Sequence, residues 1–138
     1  MFSARNQLKV KIKNITSGIA NSVVTASLKD QVLKATITLE SEKRLGLKEG
    51  DEVLFMFKAF DVLIATKDDL NTSASNDLAG VVLDVSDGVV SSEVVIEVTN
   101  GVTIVAVITK ESSKNLGLKK GSKVRALIKA TNIIVAKK

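Results

Sequence analysis

The chain has 138 residues, 45% apolar and 25% charged, enough for one ordinary domain or two very small ones and too apolar for a disordered polymer. It has no Cys and no His, which excludes disulfides, zinc sites of the usual ligand types, thiol nucleophiles and Ser-His-Asp triads. The formal net charge of +5 divides as eleven basic against nine acidic residues up to Leu70 and nine against six beyond it, so no basic tail carries the excess; an excess this modest suits a small anion or nucleic acid, and also serves plain solubility.

With aromatics at 3% and no Trp, Tyr or Pro, the core must be built from Val, Ile, Leu and Ala. That supply fits a small barrel of β-branched residues better than an aromatic-rich sandwich. The start, Met1-Phe2-Ser3-Ala4-Arg5, lacks an apolar signal core, and no stretch approaches the roughly 18 apolar residues of a membrane span. A cytoplasmic location is the expectation, with no membrane partner.

In chain order, residues 8–15 alternate apolar and polar and read as a strand, followed by strands at 23–28 and 32–39. A short helix at 40–45 stops at Gly46, Gly50 marks a turn, and strands at 53–57 and 62–65 complete the set. The same series then recurs: strands at 78–85, 94–98 and 102–108, a helix at 111–116 stopped by Gly117, and strands at 124–128 and 133–136. The last strand is expected to close each copy.

The recurrence extends to identities. Ser3-Ala4-Arg5-Asn6-Gln7-Leu8 returns 70 residues later as Ser73-Ala74-Ser75-Asn76-Asp77-Leu78, Gly18 as Gly88 and Ser22 as Ser92. Glu40-Ser41-Glu42-Lys43-Arg44-Leu45-Gly46-Leu47 returns 71 residues later as Glu111-Ser112-Ser113-Lys114-Asn115-Leu116-Gly117-Leu118, and Lys58-Ala59 as Lys129-Ala130. One residue has been inserted in between; the Asn100-Gly101 turn is the expected place, since turns tolerate insertion best. The expected fold class is all-β: two tandem OB-like five-stranded β-barrel repeats, each with one short helix, at residues 1–66 and 73–138 with a polar linker at 67–72. One copy of that size is marginally stable alone, so pairing of copies and then of subunits is expected.

Three segments carry groups able to bind a tetrahedral oxyanion, which needs several hydrogen-bond donors and some positive charge. Ser3-Ala4-Arg5-Asn6 offers a hydroxyl, a guanidinium and an amide ahead of a strand; its plainer reading is a turn with an exposed Arg. Thr38 and Ser41, echoed by Thr109 and Ser112, sit where a strand hands over to the short helix, and taken alone they read first as ordinary capping. Lys58-Ala59 and Lys129-Ala130 end an otherwise apolar strand, where a Lys can simply keep its charge in water. No catalytic residue and no directly coordinating metal ligand stands out; Asp68-Asp69 reads as part of the solvated linker.

Taken together, these strings resemble the molybdate- and tungstate-binding Mop-like family, the molbindins, in its tandem form. The strings that carry the resemblance are Ser3-Ala4-Arg5-Asn6-Gln7-Leu8, Ile37-Thr38 with Glu40-Ser41, Arg44-Leu45-Gly46-Leu47 with Gly50, Ile108-Thr109-Lys110-Glu111-Ser112 and Leu127-Ile128-Lys129-Ala130. They span nearly the whole chain. The resemblance implies an OB-like barrel of the Mop/TOBE type that exchanges strands with its neighbours, a homotrimer, and anions held at interfaces between repeats and subunits. It implies molybdate or tungstate as ligand, no cofactor, and storage, buffering or delivery of the oxyanion rather than catalysis.

By the same resemblance the oxyanion-binding residues are Ser3, Ala4, Arg5, Asn6, Thr38, Ser41, Lys58 and Ala59, with Ser73, Ala74, Ser75, Asn76, Thr109, Ser112, Lys129 and Ala130 in the second copy. Ser75 in place of a second Arg departs from the pattern, and Leu39 opposite Lys110 is a lesser asymmetry; both put equal affinity of the two site types in question. Two other classes stand beside this reading: a nucleic-acid-binding OB-type module, disfavoured by only four Phe and no other aromatic for base stacking, and a molybdate-sensing interaction protein.

Overall fold

A computed structural model describes residues 4–66 and 71–138. Its strands are β1 (Asn6–Ser17), β2 (Asn21–Leu28), β3 (Gln31–Thr38), β4 (Glu52–Phe57), β5 (Leu63–Ala65), β6 (Asn76–Asp87), β7 (Ser91–Thr99), β8 (Val102–Thr109), β9 (Lys123–Ile128) and β10 (Ile134–Ala136). Helix α1 (Leu39–Leu45) follows β3 and α2 (Lys110–Leu116) follows β8. The period-2 pattern of the sequence is realised directly: Leu8, Val10 and Ile12 are buried while Gln7, Lys9 and Lys11 between them face solvent. Each helix is capped by Thr38 or Thr109 and ends on a left-handed glycine, Gly46 at φ 61° or Gly117 at φ 63°.

The strands form two five-stranded antiparallel sheets, ordered β10-β4-β1-β2-β3 and β5-β9-β6-β7-β8. The last strand of each copy therefore does not close its own copy, contrary to the expectation from the sequence. Val135 of β10 lies opposite Phe55 of β4, and Ile64 of β5 opposite Ala126 of β9. The 3-10 turns Ala59–Asp61 and Ala130–Asn132 redirect the chain before each exchanged strand, and the buried Val62 and Ile133 anchor the crossings. Both repeats contribute to one continuous apolar cluster, from Leu8 and Phe55 to Ile104 and Val135. Exchange makes each small core depend on the other repeat, which offsets the high surface-to-volume ratio of a unit this small.

Neither sheet closes into a barrel by strand pairing, so the expected barrels are open, OB-like sheets. The outer edges of β3 and β8 are occupied from the opposite repeat instead. Asn76 accepts a hydrogen bond from the Lys34 N–H through Oδ1 (2.7 Å) and donates to the Lys34 carbonyl through Nδ2 (2.9 Å). Asn6 treats Val105 of β8 the same way, at 2.8 and 2.9 Å. Each buried amide reproduces the two bonds that a neighbouring strand would make, satisfying edge groups that burial would otherwise leave costly.

The inserted residue is also placed differently from the expectation. Leu28 pairs with Gln31 and Thr99 with Val102, so both hairpins keep two-residue turns, Lys29-Asp30 and Asn100-Gly101. The extra residue is absorbed by a bulge between Glu97 and Thr99, where it costs one ladder position and leaves the turn two residues long.

Candidate functional site

Strand register brings the three candidate segments together across the repeats. Asn6 lies opposite Phe57 on β4, so the pairing count sets Arg5 beside Lys58 where the two strands end. Asn6 is fastened to Val105. Arg5, one residue earlier, reaches Glu93, which pairs with Val107, two positions further along β8. Two positions more bring β8 to Thr109, the cap of α2. The 3-10 turn that begins at Ala59 packs against this same strand. The first junction thus gathers Ala4, Arg5, Asn6, Lys58 and Ala59 of the first repeat along the strand that ends in Thr109 and leads to Ser112 of the second.

The second junction is its mirror. Asn76 lies opposite Ile128 and is fastened to Lys34, which sets Ser75 beside Lys129. The turn beginning at Ala130 packs against β3, which ends in Thr38 and leads to Ser41. Ser73, Ala74 and Ser75 precede Asn76 on this side and are exposed or half-buried. Ser3 lies outside the described residues.

Each helix start is organised alike. Thr38 Oγ1 accepts from the Ser41 N–H at 3.1 Å and donates to Ser41 Oγ at 2.8 Å; Thr109 and Ser112 repeat both distances. The Leu39 N–H donates to the Ala20 carbonyl at 2.8 Å and the Lys110 N–H to the Val90 carbonyl at 3.0 Å. Among the described residues this leaves the Glu40 and Glu111 N–H groups as first-turn donors without a protein acceptor. Ala59 and Ala130 are buried, while Lys58 and Lys129 are exposed and their ammonium groups make no hydrogen bond or ion pair among the described residues. Both junctions therefore present hydroxyls, a free ammonium and main-chain donors, a set able to hold a tetrahedral anion without a metal or a nucleophile.

The amides of Asn6 and Asn76 are both engaged across the repeats, Asn6 Nδ2 by one bond, to the Val105 carbonyl at 2.9 Å. Both Nδ2 protons of Asn76 are taken, by the Lys34 carbonyl at 2.9 Å and the Ile128 carbonyl at 3.2 Å. Its side chain positions the junction and has no proton left over for a ligand.

Sequence reasoning missed Glu93. Its carboxylate receives both terminal nitrogens of Arg5, at 3.2 and 3.3 Å, and the hydrogen bond, then the charge, push the Arg5 guanidinium's pKa further up. A signal was present: 70 residues before Glu93 stands Val23, and 70 after Arg5 stands Ser75, so both charges differ together between the copies.

Two open grooves lie elsewhere, of ≈ 990 Å³ beside Lys9, Lys11 and Lys29 and ≈ 860 Å³ beside Ala79, Val81 and Arg125; none of the candidate residues lines either one. No group of three or more acidic residues that could hold a metal ion occurs among the described residues.

The TOBE domain model matches the chain twice, at residues 3–64 and 72–135. A crystal structure of the cytoplasmic molybdate-binding protein ModG with molybdate bound superposes with a TM-score of 0.96 at 37% identity, covering 99% of each chain. The molybdenum-pterin-binding protein MopA of Rhodobacter capsulatus is 39% identical over 97% of this chain and 51% of its own length. The molybdenum transport protein ModE of Azotobacter vinelandii is 33% identical over 97% of this chain and 50% of its own length. The chain spans about half the length of these curated relatives. With the repeat, the exchanged strands and the paired junctions all in place, the chain belongs to the TOBE-domain family, in its Mop-like, tandem-repeat molbindin form.

Proposed function

We propose that this protein binds molybdate or tungstate reversibly in the cytoplasm and serves to store, buffer or deliver the oxyanion. The observation that carries the reading is the full-length likeness, at a TM-score of 0.96, to ModG with molybdate bound. The two junctions supply the chemistry: hydroxyls at Thr38, Ser41, Thr109 and Ser112, ammonium groups at Lys58 and Lys129, the guanidinium of Arg5, and main-chain donors near Ala59 and Ala130. In this reading Ser3 and Ala4, and Ser73, Ala74 and Ser75, complete the two ends, while Asn6 and Asn76 hold the junctions in register. No catalytic step is involved, which agrees with relatives named for binding and transport.

The functional unit in this proposal is a homotrimer of chains with repeats at 1–66 and 73–138 joined by 67–72. A buried dianion costs several kcal/mol unless it is paired and hydrogen-bonded on all sides. Each junction in a single chain is open to solvent, and a neighbouring subunit is the natural source of the missing walls and of full barrel closure. Nucleic acid and membrane play no part in it.

Calorimetric titration with sodium molybdate tests the assignment. Lys58→Ala and Lys129→Ala are each expected to weaken binding at one class of site by about tenfold or more, the loss of one charge-assisted contact of about 1.5–3 kcal/mol. Wild-type isotherms in both variants contradict the assignment.

A further inference from the structure

The two junctions differ in one feature that neither capping nor packing explains. At the first, Arg5 is held by Glu93 in a two-pronged ion pair, with Nη1 at 3.3 Å and Nη2 at 3.2 Å from its two carboxylate oxygens. At the second, the corresponding positions are Ser75 and Val23, so the cation and its counter-ion are both absent. Glu93 is exposed on β7 and, among the described residues, its carboxylate makes no other hydrogen bond or ion pair. Its side chain satisfies no buried group and supports no turn. Among the described residues, the one partner of its carboxylate is the single arginine of the candidate anion site, across the repeat boundary.

A guanidinium presents five N–H donors in a planar fork, and a carboxylate engaging both terminal nitrogens occupies the face that best matches a tetrahedral oxyanion. The carboxylate and the anion therefore compete for one set of donors. The pair is half-exposed, with side-chain exposures of 53% and 48%, so water screens it and its rupture costs little. That places it in the range where a dianion can displace it.

We propose that Glu93 is a built-in competitor for the oxyanion at the first junction: it holds the Arg5 guanidinium in the ligand-free chain, yields it when the anion arrives, and so lowers the affinity of this site class below what its cations alone would give. The inference rests on the reading of the junctions as oxyanion sites. Glu93 acts through Arg5 and is a positioning residue rather than a ligand. The second junction, with Ser75 and Val23, lacks both the attraction and the competitor. The two junctions thus reach anion binding by different balances.

Calorimetry with sodium molybdate on the full chain tests this in a double-mutant cycle. Glu93→Gln is expected to tighten one class of site by roughly two- to fivefold, the size set by an exposed ion pair, and to leave the other class unchanged. In an Arg5→Ser background the same change is expected to have no effect, which a merely structural role of Glu93 would not produce. Ser75→Arg is expected to tighten the second class, because Val23 offers that guanidinium no carboxylate. Uptake with unchanged affinity in Glu93→Gln, or tightening that persists without Arg5, overturns this inference alone. Absence of any heat in the wild type overturns the oxyanion reading and this inference with it.

Discussion

At the scale of single residues, the two repeats solve one problem with different side chains. Ser22 and Ser92 are fully buried hydroxyls at equivalent strand positions, and each needs an acceptor. In the first repeat that acceptor is Glu42 on α1, which also receives the Ser17 hydroxyl at 2.8 Å. In the second, Ser92 donates at 2.5 Å to Asp87, which stands where the first repeat has Ser17, while Ser113 stands where it has Glu42. The carboxylate has moved from helix to strand and kept its task. The hydroxyl of Ser22, then that of Ser17, hold the Glu42 pKa below its ordinary value.

A carboxylate with a lowered folded-state pKa adds stability above its unfolded-state pKa, and that stability is lost as the pH falls through the folded-state value. Denaturant unfolding should therefore show wild-type stability declining below the ordinary Glu range. Glu42→Gln should be less stable near neutrality and show a shallower decline; an unchanged slope would remove Glu42 from the account. The exchange was not legible from the sequence, because the Ser-to-Asp and Glu-to-Ser differences look unrelated until the fold brings them to the same buried hydroxyl.

At the scale of elements, alternation and turn residues revealed most of the strands and both helices. Their ends shift by a few residues where hydrogen bonding continues past the last apolar side chain, as in β1, which runs on to Ser17. What alternation cannot reveal is the partner of a strand. Residues 62–65 and 133–136 read as strands that bury one face, and that pattern is identical whether the strand pairs at home or across the repeats. The redirection comes from the 3-10 turns after Lys58 and Lys129, three residues each, too short to leave a periodic signal. The candidate residues were recognisable by type; strand exchange entered only through the family resemblance, and which residues it groups at each junction stayed hidden.

Gly80 shows how far the equivalent strands have diverged. It stands where the first repeat has the buried Val10, and a Cβ built there would lie 2.6 Å from Ile96 Cγ2 and 2.8 Å from the Glu97 carbonyl oxygen. Glu97 borders the bulge that absorbs the inserted residue, and its carbonyl together with the Ile96 side chain leaves room only for glycine at this position. Gly80→Ala should cost about 1–3 kcal/mol of stability, the usual penalty of overpacking against backbone. Unchanged denaturant midpoints would mean that β7 can retreat at no cost.

At the scale of the whole molecule, a chain without a large aromatic core gains cohesion by letting each repeat complete the other. Exchanged strands, asparagine clips on the sheet edges and a shared apolar cluster tie the halves together. The same arrangement creates the geometry of the candidate site. Only because β5 and β10 cross does the turn after each Lys reach the opposite repeat and lie along the strand that ends in the other repeat's helix cap. Folding and the proposed anion site thus share one structural cause.

That claim meets its most direct test in native mass spectrometry of the purified chain with and without molybdate. The account predicts a trimeric species that gains mass in whole molybdate increments; a chain that remains monomeric and takes up no molybdate or tungstate would contradict it.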